Sequence, residues 1–179
     1  MLRWLTYAAL YAAGAYVVDV PVRRRSAATA ARDYAAARGK PLLNVGAGTG
    51  NSALFGSTLY GDVNVDLCGR TDVPHGPTVV TAADATALPF PDGYFGAVLA
   101  SHVLEHLPDP DAALREWLRV VGGDRGALFV VTPSWWAPHT WLHRGHLWYF
   151  SDGKGGGMRT KLQSASAATP ACKMFARTT

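Results

Sequence analysis

Three glycines occupy alternate positions, Gly46, Gly48 and Gly50, directly after the apolar run at residues 42–45. Glycine weakens regular structure, so a cluster of it beside a strand indicates a sharp turn or a close approach of the backbone to another group. At a strand–turn–helix corner of this kind, a ligand can lie against the bare main chain at the carboxyl edge of a parallel sheet. The spacing therefore predicts that the turn at residues 46–50 is part of a ligand-binding site, and this turn is called the glycine corner below.

Asp66 ends the next apolar run, twenty positions after Gly46. At that spacing an acidic side chain can take both hydroxyls of a ribose, and a capping or turn aspartate is the alternative. The glycine run reads GAGTG followed by Asn51, whereas a site for a dinucleotide usually reads GxGxxG and needs a helix end for the pyrophosphate. The glycine corner and Asp66 together predict a nucleoside-type ligand, and a ligand without phosphate would make weaker demands on the helix end.

The elements that would hold these residues can be read from short apolar runs separated by turns. The runs predict five strands, at residues 41–46, 62–66, 78–83, 96–101 and 127–132. Residues 26–38 and 108–121 show helical patterns, with Ser26 as the candidate cap of the first and Gly39 after its end. We expect an α/β fold, a doubly wound, Rossmann-like, mostly parallel sheet with helices on both faces.

The chain divides by composition into three parts. Residues 1–25 predict an apolar, amphipathic helix, residues 26–150 the main α/β domain, and residues 151–179 a low-complexity, flexible tail. The uncharged run at residues 4–18 is shorter than the ~20 residues that a spanning helix needs. Two interpretations of the N-terminal helix stay open, packing on its own domain and contact with a membrane surface.

Charge is distributed unevenly along the sequence. Residues 41–125 carry four basic and ten acidic side chains, a balance of −6, while the flanks carry +10. An acidic centre favours a cationic ligand, and basic ends suit a membrane surface, a polyanion or plain solubility. Cys68 and Cys172 form no CxxC pair, so we expect no disulfide framework and a reducing, cytoplasmic location, with attachment to the membrane periphery as the alternative.

Four stretches resemble a known family, the class I S-adenosylmethionine-dependent methyltransferases, most closely the type 11 group. They are LLNVGAGTG, VNVDL, AADATALPFPDGYFGAVLASHVLEHL and LRVVGGDRGALFVVTP, between Pro41 and Pro133. The third is the most specific, because a lone GxGxG does not separate methyltransferases from dehydrogenases. The resemblance implies S-adenosylmethionine as cofactor and a small-molecule methyl acceptor. Nucleic acid is not expected, since no interleaved aromatic and basic residues suggest base stacking.

The resemblance also implies roles for single residues. Gly46, Ala47 and Gly48 would form the main-chain cradle for the methionine part, and Asp66 would bind the ribose. The full set of positions implied for the cofactor is Asn44, Gly46, Ala47, Gly48, Gly50, Asp66, Leu67, Ala83, Asp84, Ala85 and Ser101. In that set Leu67 lies beside the adenine.

Asp84 would accept the adenine amino group, with Ala83 and Ala85 at its sides. Ser101 and His102 lie at the end of the fourth predicted strand, where the family has its methyl-transfer centre. Methyl transfer is an in-line displacement in which alignment supplies much of the catalysis. A hydroxyl or phenol acceptor also needs a base, for which His102 is the candidate, and a histidine that fixes the strand end is the alternative.

Departures from the family pattern concern the first strand and the end of the chain. Asn44 stands where the family commonly has an acid, and it brings no charge to the cofactor. Only 46 residues follow Pro133, so we expect that the sheet lacks the family's final antiparallel strand pair. The alternative function is therefore a non-catalytic S-adenosylmethionine-binding or membrane-associated protein with a shortened fold.

Residues 134–150 hold four of the six tryptophans. Such a cluster predicts a wall for an apolar or aromatic acceptor, and filler for a shortened fold is the alternative. His139, His143 and His146 are spaced by four and three, which suits zinc on one helix face. No cysteine or acid accompanies them, so we assign no metal. For Glu105 and His106 we favour structural or capping roles.

Overall fold

The computed structural model of the 179-residue chain describes residues 14, 21–48, 60–69, 80–134, 137–151 and 158–161. At residues 138, 139, 151 and 158–161 it describes the backbone alone. Gly50 and almost all of the predicted N-terminal helix lie outside these ranges, so what the sequence predicts for them stays a prediction.

A five-stranded parallel sheet forms the centre of the fold. Its strands are β1 (Leu42–Val45), β2 (Val63–Asp66), β3 (Thr81–Ala82), β4 (Ala97–Ser101) and β5 (Ala127–Val131). They lie in the order β3-β2-β1-β4-β5, and every neighbouring pair is parallel. Each strand falls within a predicted run, so the expected Rossmann-like sheet is confirmed. The chain order reverses between β1 and β4, and ligands of such sheets bind in the crevice at that switch point.

Helices cover both faces of this sheet, as expected. Helix α1 spans residues 21–36 of the described chain and packs Ala28, Ala31 and Ala35 against one face. Helix α2 (Pro110–Val121) packs Trp117 and its apolar neighbours against the other face. Side chains of a strand alternate between faces, so Leu42 belongs to the α1 cluster and Leu43 to the α2 cluster.

Local chemistry sets the ends of these helices. The side chain of Asp109 accepts a hydrogen bond from Ala112 N at 2.9 Å, Pro110 occupies the first turn, and Gly122 ends α2 with φ +79°. These are the expected cap, start and stop signals. The structure contradicts the candidate cap of α1. Ser26 is an exposed residue inside the helix, because residues 21–25 before it are already helical.

The chain after β5 forms short elements that approach the carboxyl edge of the sheet. A short helix, α3 (Pro138–Leu142), precedes the antiparallel strands β6 (Trp148–Ser151) and β7 (Met158–Lys161). The two strands form a separate two-stranded sheet among the described residues. In the part of the chain that the structure describes, β5 is the last strand of the five-stranded sheet, and β6 and β7 pair with each other instead. A strand, β7, therefore forms after residue 152, where the composition was unfavourable for the family's strand pair.

Two further observations bear on the sequence analysis. Cys68 is disulfide-bonded, which contradicts the expectation that the cysteines form no disulfide framework and withdraws the support which that expectation gave to a reducing compartment. Among the described residues, no helix has the length and apolar character to span a membrane.

Candidate active site

The glycine corner lies at the carboxyl end of β1 and turns across the end of β2. Gly46 N and Ala47 N both donate to Val65 O, at 2.9 and 3.0 Å, and Gly46 and Gly48 have φ of +72° and +56°. Both positions therefore need the left-handed backbone that glycine adopts without strain. The corner is where the sequence predicted it.

The two glycines have different surroundings. A Cβ on Gly46 would overlap the side chain of Val103, so this glycine permits close packing of the corner against the chain after β4. A Cβ on Gly48 would meet no atom of the described residues within 4 Å. Open space beside bare main chain is thus found at Gly48, and this is the feature of a cradle that a ligand could occupy.

Asp66 lies at the end of β2 with its carboxylate directed at the corner. Its Oδ2 accepts from Gly48 N at 2.8 Å, and its Oδ1 accepts from Cys68 N at 3.2 Å. A carboxylate has about four lone-pair sites, so two remain for the hydroxyls of a ligand. Leu67 follows with its side chain 52% exposed, an apolar surface next to the acid.

Asn44 is 4% exposed and lies beneath the corner. Its Nδ2 donates to Asn64 Oδ1 at 3.2 Å, and Asn64 Nδ2 donates to Gly61 O at 2.9 Å. The amide therefore ties β1 to β2 side chain to side chain, which a carboxylate at this position could not do by donation. Its contact with a cofactor stays a prediction.

The loop that carries Asp84 begins at the end of β3. Ala83 N donates to Asp66 O at 2.9 Å, and Asp84 Oδ1 accepts from the backbone and hydroxyl of Thr86, both at 2.8 Å. Asp84 is exposed, and Ala83 and Ala85 are partly buried against the core. Asp66 thus ends β2, and Asp84 follows the adjacent strand β3 by two residues at the same edge of the sheet.

Helix α2 holds this loop from below. Trp117 Nε1 donates to Ala85 O at 3.0 Å, and Glu116 Oε1 accepts from Leu88 N at 2.7 Å. Arg119 donates to the carbonyls of Phe90 and Leu88 at 2.8 and 3.2 Å and to Glu116 at 2.7 and 2.9 Å. Three side chains of one helix therefore fix the loop, and the Arg119 bonds hold the pKa of Glu116 below its usual value.

Ser101 and His102 lie at the carboxyl end of β4, across the switch point from the glycine corner. His102 has φ +59°, in the left-handed region, and its N donates to Val131 O at 2.7 Å. Strain of this kind occurs most often at functional sites. Ser101 Oγ is buried and has no hydrogen-bond partner among the described residues. A buried hydroxyl usually has a partner, so a polar ligand atom would satisfy Ser101.

Glu105 is a fully buried acid beneath this centre, in the 3-10 turn Leu104–His106. Burial raises its pKa to about 8, and the nearby charge of Arg24 offsets this only in part. Its Oε1 lies 3.3 Å from His102 Nδ1, without the alignment of a hydrogen bond. The LEHL run predicts a structural role for Glu105, because the run alone does not show which side chain faces His102.

The chain after α3 packs against the same turn. Leu147 N donates to Glu105 O at 2.6 Å, and Trp148 Nε1 donates to Leu107 O at 2.8 Å. Trp141, 49% exposed, lies with its ring centroid 4.6 Å from that of Tyr149. Aromatic side chains thus border the turn beneath His102, in the region where the sequence predicts an acceptor wall. Trp135 and Trp136 lie outside the described residues.

The described residues fit a nucleoside cofactor with a cationic group. Bare main chain at Gly48 borders open space. Asp66 and Asp84 bring two carboxylates to one edge of the sheet, and Leu67, next to Asp66, exposes an apolar side chain. These are the groups that a ribose, an adenine and a sulfonium would use.

Comparisons with known proteins agree with this geometry. Residues 43–124 match the family described as "Methyltransferase domain". The ubiquinone/menaquinone biosynthesis C-methyltransferase UbiE of Xanthomonas campestris is 35% identical over 118 residues, which are 56% of this chain and 47% of that protein. The demethylmenaquinone methyltransferase of Renibacterium salmoninarum is 39% identical over 91 residues, 46% of this chain and 37% of that protein. The chain spans less than half the length of these curated relatives.

One solved structure, the [4+2]-cyclase SpnF, also matches, with a TM-score of 0.37 and 23% identity over 62% of this chain and 42% of that chain. A likeness at this level bears on neither substrate nor activity. The sheet order, the glycine corner with its acid and the matched segment point to one likeness. Residues 43–124 are similar to the methyltransferase domain family and to curated methyltransferases.

Proposed function

We propose that the protein is an S-adenosylmethionine-dependent methyltransferase that acts on a small, apolar or aromatic acceptor. The observation that carries the proposal is the hydrogen bond from Gly48 N to Asp66 Oδ2 at 2.8 Å, which sets a carboxylate against bare main chain at the switch point of the sheet. The names of the curated relatives point to quinone-type acceptors, and we extend that class to this chain as part of the proposal.

In this proposal the cofactor is held by residues of three strand ends. Asp66 accepts from the ribose hydroxyls, Asp84 accepts from the adenine amino group, and the glycine corner borders the methionine part. S-adenosylmethionine supplies an electrophilic methyl group on a positively charged sulfonium. The balance of −6 across residues 41–125 favours such a cation.

His102 is the proposed base. Its side chain is 15% exposed at the edge of the crevice, so an acceptor proton can reach it from the solvent side. Glu105 Oε1 lies 3.3 Å from its Nδ1, so Glu105 would be a positioning residue that accepts from Nδ1 once the two groups align. His102 Nε2 is then the nitrogen directed away from Glu105, and it takes the proton that the acceptor loses. Trp141 and Tyr149 supply apolar surface for the acceptor.

Isothermal titration with S-adenosylmethionine tests the first half of the proposal. The wild-type chain should bind in the micromolar range, and Asp66→Ala should bind about tenfold to a hundredfold more weakly, because hydrogen bonds to a charged group contribute about 1.5–3 kcal/mol each. Asp124→Ala is the matched control: Asp124 is exposed in the turn before β5, at the opposite edge of the sheet. It should bind like wild type.

Transfer of a labelled methyl group tests the second half, with demethylmenaquinone as the first acceptor. Transfer that His102→Ala lowers, with cofactor affinity unchanged, supports the proposed base. Binding of NADH in place of S-adenosylmethionine would refute the proposal. Binding of S-adenosylmethionine without transfer to any aromatic acceptor would favour the non-catalytic alternative.

A further inference from the structure

Three histidines from two segments meet beside the turn that follows β4. His106 ends the 3-10 turn Leu104–His106, and His143 and His146 lie between α3 and β6. One ring nitrogen from each histidine lies within 4.8 Å of the corresponding nitrogens of the other two. The ring centroids of His106 and His146 are 4.9 Å apart, and those of His143 and His146 are 4.6 Å apart.

Backbone groups fix the rings of this histidine cluster. His106 Nδ1 lies 2.8 Å from Gly145 O, and His146 Nδ1 lies 2.9 Å from Thr140 O. A carbonyl oxygen only accepts, so each Nδ1 carries the proton and each Nε2 carries the lone pair. Histidines that bind metals almost always donate their other ring N–H in this way, to a carbonyl or a carboxylate.

We propose that His106, His143 and His146 bind one divalent transition-metal ion, with zinc as the best match. Three imidazoles suit zinc, cobalt, nickel or copper, and a zinc bound by three histidines leaves its fourth position to water. The site goes beyond the proposed methyl transfer and does not depend on it. It also departs from the sequence analysis, which assigned no metal and considered His139 in place of His106.

Burial is compatible with the site. His146 is 4% exposed, and His106 is half-buried. Nitrogens around a tetrahedral zinc with bonds of about 2.0–2.1 Å lie ~3.4 Å apart, so the cluster has to contract. His143 is exposed, and among the described hydrogen bonds its ring accepts one, from Gly145 N at 3.1 Å. We therefore expect the His143 ring to shift towards the other two rings when the metal binds.

A metal ion at this place would join two parts of the proposed acceptor side. His106 follows Glu105 in the turn beneath His102, and Leu147 N, one residue after His146, donates to Glu105 O. The ion would therefore fasten the segment after α3 to the turn that supports the proposed base. The expected effect of zinc is a higher melting temperature, because a ligand that binds only the folded state stabilises it.

The test uses the full chain without an affinity tag, treated with a chelator and dialysed. Titration calorimetry should show one Zn²⁺ per chain, and Co²⁺ should give the visible absorption bands of a tetrahedral site. His143→Ala, at an exposed position, should bind Zn²⁺ at least about tenfold more weakly. His106→Gln, whose amide can still donate to Gly145 O, should show the same loss. Zinc should raise the melting temperature of wild type but not that of these two variants.

His102→Ala is the matched control, since it removes a histidine outside the cluster, and it should bind Zn²⁺ like wild type. Circular dichroism before titration checks that each variant is folded. A wild-type chain that binds no Zn²⁺ would overturn the proposal. So would a folded His143→Ala or His106→Gln that binds it as tightly as wild type.

Discussion

Glu105 shows how a single buried acid can make stability depend on pH. Its pKa of about 8 in the folded protein lies well above the ordinary value of 4.5, because burial disfavours the carboxylate. Between these two values the folded state keeps a proton that the unfolded state has released. The free energy of unfolding therefore falls as the pH rises through this window and levels off above it.

Glu105→Gln should remove this decrease, since an amide stays neutral throughout. Urea denaturation of both proteins at several values between about pH 5 and pH 8 gives the two profiles. Their difference isolates Glu105, because the lowered pKa of His106, which acts in the opposite sense, is common to both. Parallel profiles would show that Glu105 is ionised across the range.

Gly46 and Gly48 should respond differently to alanine. Gly46→Ala adds the left-handed strain, about 1–2 kcal/mol, to an overlap with Val103 that costs about 1–3 kcal/mol. Gly48→Ala adds the strain alone, but its methyl group enters the open space of the cradle. We therefore expect the larger loss of stability at Gly46 and the larger loss of S-adenosylmethionine affinity, relative to stability, at Gly48.

A double variant separates the two costs at Gly46. In a Val103→Ala background the overlap is relieved, so Gly46→Ala should cost about 1 kcal/mol less than in wild type. Urea denaturation of the four proteins of this cycle measures the difference. Equal costs in both backgrounds would mean that Val103 is not what excludes a side chain there.

At the scale of elements, α2 determines where the loop with Asp84 lies. Arg119→Met should lower the free energy of unfolding by about 1–3 kcal/mol, because it leaves Glu116 and the carbonyls of Leu88 and Phe90 without their donor. S-adenosylmethionine affinity should fall as well, since Asp84 is carried by the same loop. Thermal denaturation and titration calorimetry measure the two effects.

Asp92→Asn is the control for this clamp. It removes only the exposed partner of Arg119, and exposed ion pairs contribute about 0–1 kcal/mol. Stability and affinity should both remain near wild type. A loss as large as that of Arg119→Met would place the effect in the surface ion pair and not in the bonds to the loop.

At the scale of the whole molecule, the sheet needs a helix on each face. Ala31 is fully buried where α1 meets Leu42, Ala97 and Leu99. Ala31→Leu should cost about 1–3 kcal/mol, because three extra carbon atoms enter a closely packed interface. Ala30→Leu, one position along the same helix but exposed, should change stability by less than about 0.5 kcal/mol. Equal effects in thermal denaturation would show that α1 is not seated on the sheet.

Local sequence patterns were sufficient to predict the five strands of the parallel sheet and the helices that cover it. The runs around Val45, Val65 and Leu99 predicted buried parallel strands, since strands covered on both faces are apolar without alternation. The predicted cap of α1 was wrong and the strand β7 was missed, both for local reasons. Ser26 can cap a helix but also occurs inside one, and the composition of residues 151–179 hid the strand Met158–Lys161.

The sequence by itself determined the strands, the glycine corner and the acid twenty positions beyond it, because each depends on residues near one another in the chain. Only the tertiary structure decided that Val103 lies against Gly46, that Glu105 is buried beside His102, and that His106 meets His143 and His146. These contacts join segments through the packing of loops at the carboxyl edge of the sheet. The spacing of apolar residues along the chain does not encode that packing, because each contact depends on the position of a second segment that is distant in sequence.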